Sequence, residues 1–249
     1  MAAVAAVVLC ATALGAQEGT TPGVIAPAPA TDSVAPLDRM DGSRLRAGAT
    51  TYHLSLVREV GPTAMGTRTV QVSESSLGGA PAWLFVERRT GTAVPTLDSL
   101  WLSRVDLTPL RWVASVDRTQ LAASFARDSV FGAVQSYAGR FSFAAGVLPG
   151  LLVTPAMAEK IIELLPLEAG YRAGASLLLV DTGTPRALPA ELTVEREERI
   201  RLATDEVDCW VVLLRAGAME ERLWVEKSRR TVVRTEQASA GGRLVAELI

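Results

Sequence analysis

Histidine and cysteine are scarce in this chain: His53 is the single histidine, and Cys10 and Cys209 are the only cysteines among 249 residues. That shortage excludes whole classes of chemistry. A zinc site of the usual ligands cannot be assembled from this inventory. A Ser-His-Asp triad would have to use His53, which alternates with Tyr52 and Leu54 inside a β-patterned stretch. No Gly-x-Ser-x-Gly elbow occurs, and no glycine loop of the phosphate-binding kind follows a strand and opens a helix. Excess positive charge is also missing. The net charge is −2, and of 25 basic residues only Lys160 and Lys227 are lysines. Nucleic acid, which needs a basic stripe, is excluded as a partner. The sequence therefore predicts no enzyme, no cofactor and no metal.

The residues that are present favour a folded, exported chain. Hydrophobic residues make up 49%, enough for one sizeable core. Residues 1–16, "MAAVAAVVLCATALGA", carry no charge. The run is short and ends in small residues, the pattern of a signal peptide, with cleavage expected between Ala16 and Gln17. It lacks the usual basic start, and Leu9 before Cys10 argues against a lipid-attachment site. Cleavage leaves Cys209 alone, so no intrachain disulfide can form. No later stretch reaches the length of a membrane-spanning helix. Residues 17–46 are rich in Pro, Ala, Thr and Gly without apolar periodicity and read as a flexible tether. Residues 47–249 read as a single domain. The expected location is the periplasm or cell envelope.

From Thr51 onward short alternating stretches recur, among them "TYHLSLV", "TRTVQVSES", "AWLFVERR", "DSLWLSRV", "LRWVASV", "DCWVVLL" and "ERLWVEKS". Gly, Pro, Asp or Ser clusters separate them. Many short strands at close spacing predict an antiparallel meander that closes into a barrel or sandwich. Several strands are apolar on both faces: Trp83 and Phe85 oppose Leu84 and Val86, and Val211 and Leu213 oppose Val212 and Leu214. The second face must then meet a helix, another sheet or an apolar ligand. One segment is helical by pattern, "TPAMAEKIIELLPL", with Thr154 as N-cap, Pro155 at the first position and Pro166 beyond the end. The apolar run before it, residues 141–153, contains Gly146, Pro149 and Gly150 and reads as a buried loop or an apolar lid.

The most suggestive chemical motif is Asp181-Thr182-Gly183 in "LLLVDTGTP". Aspartic protease chemistry needs two carboxylates around one water, so a single motif would require a homodimer. Thr184 follows the glycine where small homodimeric enzymes of that kind carry Ala or Ser, and "LLRAG" at 213–217 matches their later strand poorly. The same three residues suit a β-turn after an apolar strand. A homodimeric protease using Asp181 is the remote alternative. The acidic "EREER" at 195–199 reads as a solvated hairpin arm.

Two stretches carry a family resemblance. "DSLWLSRVDLTPLRW" at 98–112 is strand, turn and strand. The C-terminal part has Trp224 in a strand, a turn with Glu226, Lys227 and Arg230, the strand "TVVRTE", and a hairpin containing Gly241 and Gly242. Together they resemble exported β-proteins of unknown function related to the periplasmic lipoprotein carriers LolA and LolB. The resemblance covers residues 50–249 as a strand pattern. It implies a mainly β fold: an antiparallel incomplete barrel with one or two short helices or loops as a lid over an apolar interior. It further implies a lipid or lipoprotein as partner, with peripheral contact to the membrane or envelope proteins. On that reading the cavity is lined by Trp83, Phe85, Leu102, Trp112, Phe125, Phe141, Phe143, Leu148, Leu151 and Ile161, each of which also fits plain core. The carriers' cavity arginine has no counterpart in these motifs. The alternative in another class is a fully packed structural or adaptor protein of the envelope.

Overall fold

The computed structural model describes residues 37, 40–91, 96–146, 150–181, 184–203, 205–239 and 241–249, the side chains of 179–181 and 184–186 excepted. The first half of the domain is a meander of β1 (Gly48–Arg58), β2 (Gly61–Leu77), β3 (Ala80–Thr90), β4 (Thr96–Ser103), β5 (Pro109–Val116), β6 (Thr119–Phe125), β7 (Ser129–Ser136) and β8 (Gly139–Gly146). Period-two patterning drives it. In β2 the side chains of Arg68, Val70 and Val72 are buried while Gln71 between them is exposed. Gly78 and Gly79, at φ 58° and 84°, make the connection between paired Leu77 and Ala80. Positive φ at both positions of a two-residue turn matches the twist of the strands it joins.

A two-residue strand, β9 (Leu151–Leu152), leads into helix α1 (Pro155–Leu164). The helix starts where the local signals place it. Thr154 is extended and its hydroxyl accepts a hydrogen bond from the Met157 N–H at 3.2 Å. Pro155 occupies the first turn, where a missing N–H costs nothing. Then follow β10 (Arg172–Asp181), β11 (Thr184–Arg201), β12 (Glu206–Ala216), β13 (Met219–Glu226), β14 (Thr231–Ser239) and β15 (Gly242–Leu248).

The 15 strands among the described residues belong to one sheet, in the order β8-β7-β6-β5-β4-β3-β2-β1-β15-β14-β13-β12-β11-β10-β9. The first and last strands pair at its middle, with Tyr52 opposite Leu248 and Leu54 opposite Ala246. Neighbours are antiparallel except β9 and β10. The sheet curls until β8 comes near β11, yet no hydrogen-bonded ladder joins those two strands among the described residues. The fold is mainly β with one helix, a barrel-like sheet left open.

Helix α1 is covered on all sides. Residues 156–162 are all buried, and the helix meets β3, β9 and β14. A helix without a wet face belongs inside, so α1 closes the concave side as a seated stopper. The apolar side chains of the two halves meet around it, including Phe85, Leu100, Leu102, Ile162, Leu192, Leu214 and Leu223. Each such side chain contributes about 1.5–3 kcal/mol by leaving water. The double-faced apolar strand behaves as its pattern requires. Val212 and Leu214 join the main core, while Cys209 and Val211 form a second cluster with Ile200, Val207, Trp224 and Val233. Burial pushes the Cys209 thiol up to about 11, so it stays a protonated, inert apolar side chain.

Two expectations change. The run at 141–153 is not a loop throughout. Its first part completes β8, because Phe141, Phe143 and Ala145 alternate and pair opposite Val134, Gly132 and Val130. The end of the segment read as a tether is packed. Leu37 and Leu45 are buried, the Leu37 N–H donates to the Gly174 carbonyl at 2.5 Å, and the Trp83 indole N–H donates to the Gly42 carbonyl at 2.9 Å. The few apolar residues of that stretch find the core, so packing begins before residue 47. Residues 1–36, with the expected signal peptide, lie outside the described residues. No helix among the described residues is long and apolar enough to cross a membrane.

Replacing the N-cap, Thr154→Ala, is expected to cost about 1 kcal/mol and to lower the melting temperature by about 2–4 °C. Thermal unfolding followed by circular dichroism checks this; an unchanged midpoint would remove the cap from the account.

Candidate functional site

Two features of the concave side stand out, an apolar seam and a buried ionic cluster. At the seam, β8 ends the sheet, with no strand beyond it among the described residues. Its Phe143 lies over Gly132 of β7, where an added Cβ would sit 2.8 Å from the ring. Phe125 and Phe143 are partly buried against the main core, and Phe141 on the same strand face is 46% exposed. The core apolar surface therefore runs outward to water along the inner face of β6–β8.

The expected cavity residues divide accordingly. Trp83, Phe85, Leu102, Trp112, Leu151 and Ile161 are buried together in the main cluster. Phe125, Phe141 and Phe143 mark its open margin. Leu148 lies outside the described residues. Asp181 pairs with Thr184 at the end of the β10–β11 hairpin, and Thr182, Gly183 and the Asp181 side chain lie outside the description.

The ionic cluster sits in the core itself. Arg68 from β2 donates to Glu87 of β3 at 3.0 Å and pairs with Glu159 of α1. Arg89 donates to the other Glu87 oxygen at 2.9 Å. The Arg68 guanidinium also stacks 5.5 Å from the Tyr52 ring centroid, and the Tyr52 hydroxyl donates to the Val232 carbonyl at 3.0 Å. Arg68, Glu87 and Glu159 are almost wholly out of water. The far end of the helix is held as well. Glu163 accepts from Lys160 at 2.8 Å and from the Val232 N–H at 3.0 Å, and Arg230 donates to the Leu165 carbonyl at 2.7 Å.

Charge in a core must balance. Arg68 and Arg89 offset Glu87 and one further carboxylate, Glu159. Burial alone would lower the Arg68 pKa, but Glu159 and Glu87 outweigh it and keep the guanidinium charged. Burial would raise Glu87, yet Arg68 and Arg89 hold it down at about 2. Burial dominates at Glu159, whose pKa is raised despite Arg68. Two more carboxyls feel these charges: Asp98 on β4 and Glu221 on β13. Burial, with Glu87 adding, lifts Asp98 from 3.8 to about 7. Burial, with Glu159 adding, lifts Glu221 from 4.5 to about 7. Neither makes an ion pair among the described residues.

Sequence reasoning missed this cluster, although a signal exists. Arg68 shares strand parity with Val70 and Val72, Glu87 with Trp83 and Phe85, Asp98 with Leu100 and Leu102, and Glu221 with Leu223 and Val225. A charge written into the apolar phase of a strand is a buried charge.

No family model matches this chain, and no curated protein matches it. Two solved structures are similar to it. One is a beta-barrel-like protein of the domain of unknown function DUF1849 from Brucella abortus, 10% identical, with a TM-score of 0.48 over 87% of this chain and 98% of that one. The other is the hypothetical lipoprotein YmcC from Escherichia coli K12, 14% identical, with a TM-score of 0.31 over 83% of this chain and 85% of that one.

Two outcomes follow from the charge balance. A carboxyl whose pKa is higher folded than unfolded binds an extra proton in the folded state, so its contribution to stability falls as pH rises through that interval. For Asp98 and Glu221 the interval runs from the ordinary 3.8 and 4.5 up to about 7. Glu87 acts oppositely, but only well below pH 5. The melting temperature is therefore expected to drop between pH 5 and pH 8, and the double variant Asp98→Asn, Glu221→Gln to flatten that slope; a wild-type curve rising toward pH 8 contradicts the assignment. Arg68→Met, which strands the buried Glu159 and leaves Glu87 with Arg89 alone, is expected to cost about 3–5 kcal/mol in urea unfolding at neutral pH.

Proposed function

We propose that this is an exported, non-enzymatic binding protein for a lipid or a lipidated partner, taking acyl chains at the concave side of its half-open sheet, in the manner of the LolA- and LolB-like carriers it resembles. One observation carries the reading: the core's apolar surface continues to water at the β8 seam through Phe125, Phe143 and the exposed Phe141. An unpaired sheet edge with apolar side chains on its inner face is a place where a chain of methylenes gains about 0.8 kcal/mol per buried CH₂. Export rests on residues 1–16 of the sequence, and a location in the periplasm or envelope follows from it. The competing reading is an envelope adaptor with a packed interior. The burial of α1 among the core side chains favours that second reading.

The two separate in one experiment. Protein purified without detergent from cells with intact membranes is examined by native mass spectrometry, then extracted with organic solvent. A bound mass that extracts as lipid is expected, and Phe143→Ser is expected to lose at least about tenfold in affinity for an acyl probe. A bare protein mass that stays bare after incubation with phospholipid vesicles would leave the adaptor.

A further inference from the structure

The edge strand β8 carries none of the features that keep an exposed sheet edge from pairing. Its sequence, Gly-Arg-Phe-Ser-Phe-Ala-Ala-Gly, holds no lysine, no proline and one charge, Arg140. No bulge interrupts its ladder with β7. On the side away from β7 its backbone groups make no hydrogen bond among the described residues, although β8 comes near β11. The outer face beside this edge also differs from the rest of the sheet. Across β11–β15 that face is laced with ion pairs, Arg222 with Glu195 and both Arg234 and Arg243 with Glu236. Across β7 and β8 it consists of Phe131, Ala133, Gln135, Arg140, Ser142 and Ala144, small or neutral apart from the one arginine. Phe131 is 52% exposed. Elsewhere the protein covers its aromatic rings with its own cations, Trp101 with Arg111 and Trp224 with Arg234. No cation covers Phe131 among the described residues, and Arg140 makes no ion pair or ring contact there.

A second copy of the same edge supplies what is missing. Directly opposed residues of an antiparallel pair point to the same face, so a twofold axis must pass through a residue of β8 and not between two. With the axis at Ser142, Phe141 of one copy lies opposite Phe143 of the other, twice, on the inner face. Arg140 lies opposite Ala144 on the outer face. Beyond that small side chain comes Phe131, which pairs with Ala144 on the neighbouring strand. An arginine reaching across alanine sets its guanidinium over the exposed ring, and the symmetry makes that contact twice. No like charges are brought opposite each other. The cation and the ring both belong to this chain and sit on one face at matching offsets, which selects a second copy over a foreign strand. We propose that β8 is a homodimer interface, with two copies paired antiparallel about Ser142 into one continuous sheet. An edge of this size stands at the low end of specific interfaces, so the dimer dissociates on dilution. This goes beyond the acyl-binding reading and stands without it.

The test is the oligomeric state in solution. Sedimentation velocity of the purified protein over a series of concentrations is expected to show a reversible rise from the monomer to the dimer mass. Ser142 is exposed, so Ser142→Lys and Ser142→Glu leave the fold intact, which circular dichroism checks. Each puts two like charges at the axis and is expected to hold the protein monomeric throughout the series. Mixing the two variants in equal amounts is expected to restore the dimer, read by native mass spectrometry as the heterodimer mass. Arg140→Gln, which takes the cation from Phe131, is expected to weaken the wild-type dimer by about fivefold or more. A wild-type protein that stays monomeric, a dimer that survives Ser142→Lys, or a mixture that fails to re-form it overturns the interface. A mass that grows beyond the dimer overturns the twofold pairing.

Discussion

The ion pair between Arg68 and Glu159 is the contact on which the arrangement of the interior depends. It joins a strand from the first half of the sheet to helix α1, across 91 residues of chain. Burying either charge alone would cost several kcal/mol, so each is tolerable only with the other in place. Tyr52, stacked on Arg68 and bonded to Val232, extends the tie to β1 and β14. The helix is thus fixed to both halves of the sheet near the place where β1 and β15 zip them together.

The interior is part apolar and part ionic. The apolar portion leads to the β8 seam, where Phe141 meets water. The ionic portion lies around α1, with the pKa values of Asp98 and Glu221, which make no ion pair among the described residues, lifted to about 7.

Much of the fold was legible in local patterns. Thr154, Pro155 and Pro166 bound a helix because capping and proline geometry act within a few residues. "WVVLL" announced burial on both faces because side-chain direction alternates strictly in a strand. Other features were less accessible. "FSFAAG" was read as part of a loop, since glycine and proline just beyond it outweighed a short alternation; pairing with β7 settled it as a strand. Leu37 and Leu45 sat in a stretch whose composition reads as flexible, and only the groove left by the sheet gave them somewhere to go.

The sequence by itself determined the class of the molecule: a β-rich chain with one capped helix and too little histidine and cysteine for the commoner catalytic and metal sites. Those properties follow from composition and from periodicities of two and 3.6 residues, which need no knowledge of distant contacts. The tertiary structure decided where the charges go. Arg68, Glu87 and Glu159 are scattered along the chain; the strand alternation marks Arg68 and Glu87 as buried but not which charges they meet. Only the order of the strands and the seating of α1 bring them within reach of one another, because an ion pair is a relation between places in space and leaves no period in the sequence.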